Sequence, residues 1–187
     1  MATQGKVSIS AGRWKRHTLQ FPVLPGVRPA LSRTRETIFD WLMHEVRGAK
    51  CLDLFAGSGA LGIEALSRGA QQVTFVDIKP ALVQALRSNL VRLGVPEACY
   101  EILLADYQAA LQRLAANRYD LVFLDPPYKT LSLAKVLDVL LTEGCLQSGT
   151  LVVYEAAILD FDKNGVSFER LKAKRLGQGG FGLLRVK

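Results

Sequence analysis

Cysteine is scarce, with three residues at positions 51, 99 and 145 in a chain of 187. An odd set cannot pair fully, so no disulfide scaffold is available and a reducing compartment is expected. Long apolar runs are missing as well. None approaches the ~20 residues that cross a bilayer, and Met1 to Ile9 holds no apolar signal segment, so a cytoplasmic protein with no membrane contact is expected. Histidine is confined to His17 and His44, which leaves little material for Ser-His-Asp catalysis. With neither a C-x-x-C nor an H-E-x-x-H pattern, no metal is expected. The three cysteines read most simply as small core hydrophobes. What remains, 49% hydrophobic and 22% charged residues, describes one globular domain with a proper core and a short appendage.

Acidic side chains are absent from residues 1–35, which carry Lys6, Arg13, Lys15, Arg16, Arg28, Arg33 and Arg35. Residues 163–187 again hold seven cations, against Glu169 alone, so the net charge of +7 sits at the two ends and the middle is acidic. This distribution fits a polyanion gripped by the ends while a cationic or neutral small molecule occupies the centre. Basic termini that only aid solubility are the alternative.

Along the chain, Val7–Ile9 and Gly12–Leu19 alternate weakly and break at Phe21-Pro22 and Leu24-Pro25-Gly26, suggesting a short strand or hairpin too small for a core of its own. Ile38, Trp41, Leu42 and Val46 recur at helical spacing and predict a helix over about 34–46. From Gly48 onward short apolar runs alternate with amphipathic stretches. Strands are expected at Cys51–Phe55, Val73–Val76, Ile102–Leu104, Leu121–Leu124 and Leu151–Tyr154, and helices near 60–67, 80–93, 107–115 and 132–141. Such β-then-α units imply an α/β fold with a doubly wound, mostly parallel sheet covered on both faces. Phe168–Lys174 and Phe181–Val186, around Gly177-Gln178-Gly179-Gly180, read as an antiparallel hairpin that finishes the sheet. The division expected is a basic arm with its leading helix at 1–47 and a catalytic body at 48–187. Removing the arm up to about residue 20 should spare the cofactor site, unless the arm is a structural strand whose loss unfolds the body.

Asp53-Leu54-Phe55-Ala56-Gly57-Ser58-Gly59-Ala60-Leu61-Gly62 ends a strand, turns on glycines and opens a helix. Gly57, Gly59 and Gly62 fit G-x-G-x-x-G, and Asp77 closes the next strand where it could accept ribose hydroxyls. A dinucleotide would place its pyrophosphate at that helix start, where the Asp53 carboxylate opposes it. A cationic ligand without phosphate suits Asp53 better, and S-adenosylmethionine is one. A glycine turn used only for tight packing is the alternative. Asp106 ends the third strand and can accept the adenine amino group, cap the following helix, or do both.

Asp125-Pro126-Pro127-Tyr128 follows the fourth strand directly. Two prolines stiffen the corner and remove its N–H donors, so it presents acceptors, the Asp125 carboxylate and the Pro126 carbonyl, beside the stacking face of Tyr128. A nucleobase exocyclic amine has the matching shape. Accepting both its protons relocalises a lone pair otherwise lost into the ring, so transfer to it would depend on positioning and electrostatics. A rigid strand-ending turn is the alternative.

With these motifs the chain resembles the RsmD-type 16S rRNA guanine-N2 methyltransferases, within the class I S-adenosylmethionine-dependent enzymes. The resemblance covers nearly the whole chain. It rests on Gly12-Arg13-Trp14-Lys15-Arg16, Arg28-Pro29, Arg35-Glu36-Thr37-Ile38-Phe39 with Trp41-Leu42, the stretch Leu52 to Gly62, Glu64 to Ala70, and Leu124 to Tyr128. The Asp-Pro-Pro-Tyr tetrad is shared with adenine-N6 DNA methyltransferases, so the arm together with the glycine loop is the specific part. Ala30 stands where the family usually has Thr, and Asp77 where Glu is common.

The resemblance implies a Rossmann-like body with a seven-stranded sheet, methylating a guanine amino group of 16S rRNA in the small ribosomal subunit or its assembly intermediate, with no obligate protein partner. The candidate catalytic residues are Asp125, Pro126 and Tyr128. Those for S-adenosylmethionine are Asp53, Phe55, Gly57, Ser58, Gly59, Asp77 and Asp106. For RNA they are Arg13, Trp14, Lys15, Arg16, Arg28, Arg33 and Arg35, with Trp14 free to stack on a base or to pack against the body. The target base has to be unpaired or flipped out to reach the corner. The rivals are an adenine-N6 DNA methyltransferase and a non-catalytic RNA-binding assembly factor.

Overall fold

The computed structural model describes residues 4–24, 32–115, 117–126, 131–157, 167–176 and 179–187. Its elements are β1 (Gln4–Ser8), β2 (Thr18–Pro22), α1 (Ser32–Trp41), β3 (Lys50–Asp53), α2 (Ala60–Ser67), β4 (Gln72–Asp77), α3 (Pro80–Arg92), β5 (Tyr100–Leu104), α4 (Tyr107–Arg113), β6 (Leu121–Leu124), α5 (Leu133–Thr142), β7 (Leu151–Ala157), β8 (Phe168–Leu176) and β9 (Gly179–Val186). Seven strands form one sheet in the order β5-β4-β3-β6-β7-β9-β8. The first five are parallel, and β9 runs antiparallel to both β7 and β8. The expected α/β class, with a mostly parallel sheet and a C-terminal antiparallel hairpin, is the fold observed.

Helices cover both faces because the central strands are apolar on both. One core cluster joins Cys51, Val73, Phe75 and Phe123 to side chains of α1, α2 and α3. The other joins Leu52, Val76, Val122 and Leu124 to α4 and α5. Every residue of β6 is buried, which is why its sequence reads as an unbroken apolar run rather than an alternation. No helix among the described residues is long and apolar enough to cross a membrane.

The N-terminal hairpin is seated on the body. β1 and β2 pair antiparallel from Gln4↔Pro22 to Ser8↔Thr18, and Val7, Ile9, Trp14, Leu19 and Phe21 all enter the cluster on the α1–α3 face. Each such burial contributes roughly 1.5–3 kcal/mol. Together they rival the whole net stability of a typical domain, about 5–15 kcal/mol. The separable arm expected from the sequence is thereby corrected: its apolar side chains have no core of their own and use the core of the body. The helix expected over 34–46 is also shorter. Helix α1 stops at Trp41, while Leu42 and Val46 stay buried because the chain folds back, Val46 N–H donating to Leu42 O and Gly48 N–H to Gly69 O.

Candidate active site

Ligands of open parallel sheets bind beyond the carboxyl ends of the strands, at the point where strand order reverses. Here that point lies between β3 and β6, since β3 is bonded to β4 on one side and to β6 on the other. Four of the acids singled out by sequence, Asp53, Asp77, Asp106 and Asp125, stand at or just after the ends of β3, β4, β5 and β6 in turn. Leu54 N–H donates to Phe123 O at 3.2 Å, which holds the start of the glycine loop level with the strand that runs into Asp125.

The glycines divide by what surrounds them. Gly57 has φ +53°, and a Cβ there would meet only Phe55 O, at 3.8 Å, so its open side can take a ligand. Gly59, at φ +75°, and Gly62 are glycine for packing: a Cβ would collide with Leu86 on α3 in the first case and with Phe75 on β4 in the second. Ser58 is buried along with Gly59. Of the loop residues expected to touch a cofactor, Phe55 and Gly57 retain partial exposure, while Ser58 and Gly59 shape the turn.

Asp77 organises the loop, accepting Gly57 N–H at 2.8 Å with one oxygen and Lys79 N–H at 2.8 Å with the other. It stays half-buried, and each oxygen keeps acceptor capacity for a hydroxyl. Asp106 caps α4 by accepting Gln108 N–H at 2.9 Å, yet is exposed, so the capping role observed leaves the carboxylate open to a ligand. Asp53 is 3% exposed and accepts Gly62 N–H at 3.0 Å. Burial pushes its carboxyl up to about 7, opposed by that hydrogen bond and helped by the Asp125 and Asp77 charges. A carboxyl held this high is relieved by a cation, and S-adenosylmethionine fits the donor set on that ground.

Two side chains that sequence reasoning passed over complete the rim. Ile78 is 61% exposed and Leu104 50%, although both are large and apolar. They lie together, because Leu104 pairs with Asp77 across β5 and β4 and Ala105 N–H donates to Asp77 O. An apolar shelf beside the Asp77 carboxylate suits the face of a flat ring. The available signal was an isoleucine directly after a strand-ending acid. Packed against the second core, Phe55 and Tyr107 meet in a tilted pair with ring centroids 5.7 Å apart.

Asp125 is half-buried and Pro126 buried at the end of β6. Tyr128 and Pro127, like Arg28 in the arm loop, lie outside the described residues. Among the described residues no group of three or more His, Cys, Asp or Glu could hold a metal.

The RNA candidates separate into surface and interior. Arg13, Lys15, Arg16 and Arg33 are exposed. Arg35 and Trp14 are not, and these two expectations are corrected. Arg35 is 1% exposed, donates to Ser8 O and faces Glu64 at 3.4 Å, so it ties α1 to the hairpin and to α2 instead of meeting a phosphate. Trp14 is 7% exposed and belongs to the core, with the Arg13 guanidinium 5.3 Å from its ring centre.

The reason is Glu64, a fully buried carboxylate that accepts Ser10 N–H, Ser10 Oγ–H, Ala11 N–H and Arg68 Nε–H between 2.6 and 3.0 Å. Burial alone would raise its carboxyl; the bonds from Ser10 and Arg68 and the Arg35 charge together hold it below the usual carboxylate range. Ser67, one turn on, accepts Trp14 N–H and donates to Ala11 O. The cations of the hairpin tip therefore sit at the C-terminal end of α2, about 12 Å by helix rise from the glycine loop at its start.

A family model described as Conserved hypothetical protein 95 matches residues 7–185. "Ribosomal RNA small subunit methyltransferase D" of Escherichia coli (strain K12) is 36% identical over 154 residues, covering 82% of this chain and 76% of that protein. The solved structure "Putative methyltransferase yhhF from Escherichia coli" superposes with a TM-score of 0.85 at 32% identity, over 98% of this chain and 99% of that one. A structure described as "a putative methyltransferase complexed with SAH" shares the fold, with a TM-score of 0.73 at 16% identity over 90% of this chain and 53% of the other.

Proposed function

The chain belongs to the RsmD family of rRNA methyltransferases, the group described as Conserved hypothetical protein 95, and from that premise we propose that it methylates the exocyclic N2 amine of one guanine of 16S rRNA. The position would be the family's guanine 966, and the methyl donor S-adenosylmethionine. What supports the reading most is the adjacency of loop and corner: β3 and β6 are bonded neighbours, so Gly57 and Asp125 face one crevice.

In this reading S-adenosylmethionine, when bound, supplies an electrophilic methyl on a sulfonium. Asp77 holds the ribose hydroxyls, Ile78 and Leu104 flank the adenine, and Asp53 offsets the positive charge. Asp125 and the Pro126 carbonyl accept the two N–H groups of the guanine amine, and Tyr128 stacks on the ring. With the methyl donor bound, Asp125 and the Pro126 carbonyl would aim the amine lone pair at the methyl carbon, and Asp125 would take the proton that the amine gives up on methylation. Rate comes from alignment and from acceptors fixed in advance.

Methyl transfer from labelled cofactor to unmethylated small subunits, naked 16S rRNA and DNA, followed by digestion to nucleosides, tests the reading. N2-methylguanosine is expected; N6-methyladenine would establish the DNA rival. Cofactor binding without turnover on any substrate would establish the assembly factor. Asp125→Ala should keep cofactor affinity and lose most turnover. A variant retaining more than about a tenth of the rate, a loss below ~1.4 kcal/mol, would overturn the role of the corner.

A further inference from the structure

Among the described residues strand β8 is the outer edge of the large sheet, bonded to β9 on one side. Its sequence, Phe-Glu-Arg-Leu-Lys-Ala-Lys-Arg-Leu, places Arg170, Lys172, Lys174 and Arg175 on an exposed strip. The single acid, Glu169, lies 3.9 Å from Arg185 on the neighbouring strand. Cations on an edge do discourage pairing with other chains. That purpose does not require the charge to run toward any particular end of the strand.

Register gives the direction. Leu124 pairs with Tyr154, Tyr154 with Gly182 and Gly182 with Ala173, so one row crosses β6, β7, β9 and β8. Since β8 runs parallel to β6, Lys174 and Arg175 lie beyond that row at the level of Asp125 and Pro126. Three strand spacings, about 14 Å, separate the two ends of the row. Lys172 and Lys174 pair with Leu183 and Phe181, whose side chains share one core cluster, so both lysines stand on one face about 7 Å apart. The hairpin-tip cations, in contrast, lie at the far end of α2. On the β6–β7–β9–β8 side of the catalytic rim, the end of β8 offers Lys174 and Arg175 together, beside the single exposed Lys135 in the first turn of α5.

We propose that β8 is a phosphate-binding rail: the RNA strand that delivers its base to the Asp125 corner runs on across the rim and lays its backbone along Lys172 and Lys174, with Arg175 reached from the opposite face at the end of the strand. This rests on the functional reading above. The partner is a nucleic-acid backbone, because a row of exposed cations at strand spacing offers charge and no apolar pocket.

The test uses the full chain carrying Lys172→Gln, Lys174→Gln and Arg175→Gln, with unmethylated 16S rRNA as the probe. The log–log salt dependence of RNA binding should flatten by about two units, from three lost phosphate contacts at ~0.7–0.9 each. The KM for RNA should rise several-fold, with kcat at saturating RNA within twofold and cofactor affinity unchanged. Lys172→Arg with Lys174→Arg should keep the wild-type slope, and a thermal melt checks that each variant is folded. An unchanged slope and KM would make β8 a guarded edge and nothing more. A fall in kcat alone would mean a distorted corner and would equally overturn the proposal. If the wild-type protein neither binds nor methylates RNA, the functional reading itself fails and the rail fails with it; a wild type active on RNA beside an indifferent variant sinks the rail alone.

Discussion

Replacing Asp53 by Asn should make the protein more stable at pH 8 while making it a poorer binder of its cofactor. The carboxyl has an ordinary value of 3.8 and in the folded chain is held near 7, chiefly by burial, with Asp125 and Asp77 adding to the rise. A folded-state value above the unfolded one means that the unfolded chain releases the proton first. Stability therefore falls as pH climbs from about 4 to about 7, and the penalty is complete above that. At about 1.4 kcal/mol for each factor of ten in proton affinity, the ceiling is about 4 kcal/mol. Asparagine keeps an oxygen for Gly62 N–H and carries no charge to desolvate. Urea unfolding of both proteins at pH 5, 6.5 and 8 isolates the effect, because titrations that do not interact with Asp53 cancel in the difference. The variant's advantage should grow by up to about 2–3 kcal/mol between pH 5, where a bit over a third of the penalty is already present, and pH 8, where all of it is. In calorimetric titration its affinity for S-adenosylmethionine should drop more than its affinity for S-adenosylhomocysteine, whose sulfur is neutral. A variant less stable than wild type at pH 8, or a difference that does not grow with pH, would refute the picture of a buried carboxyl whose ionisation costs stability until a cation offsets it.

The glycines should separate function from packing. Gly57→Ala carries about 1–2 kcal/mol of left-handed strain and should mainly cost cofactor affinity, whereas Gly62→Ala collides with Phe75 and should lower the melting temperature first. Glu64→Ala strands the Arg35 charge in the interior and should cost about 3–5 kcal/mol in chemical denaturation; a loss under 1 kcal/mol would show that the network is dispensable. Because Glu64 is held below its ordinary value, its contribution should be present above about pH 4.5 and fade as pH falls below it. Arg13, Lys15 and Arg16 changed together to Gln should flatten the salt dependence of RNA binding by about two units in a folded protein, while deletion through residue 20 should unfold it.

The five parallel strands and the four helices between them could be read from sequence because each buried strand is a short apolar run bounded by helix signals, and the placement of Asp77 and Asp125 at the sheet's carboxyl edge because both end such runs. Cys51–Phe55 overshot β3, which ends at Asp53: Leu54 remains buried after pairing stops, so apolarity outlasts the strand. Arg35, Trp14 and Glu64 were out of reach for a different reason. Their partners lie roughly thirty to fifty residues away in sequence, and a charged residue near a basic segment reads as surface until those partners are known. Helix α2 shows the same limit. It was expected to be amphipathic, yet all but Leu61 of its residues are buried, because the hairpin covers the face that would otherwise meet water.

That covering hairpin is synthesised before the elements that hold it and can be seated only after them. Glu64, Ser67, Asn89 and Arg92, which hold it, follow it by 53 to 74 residues. At about 5–20 residues per second, several seconds pass between the emergence of Val7, Ile9 and Trp14 and that of the helices that receive them. During that interval an apolar, cationic segment is exposed at the mouth of a ribosome whose own surface is rRNA. Until α2 and α3 are made, those apolar side chains have no core to enter, so the seating of the hairpin is a long-range step that closes the fold after the body has formed.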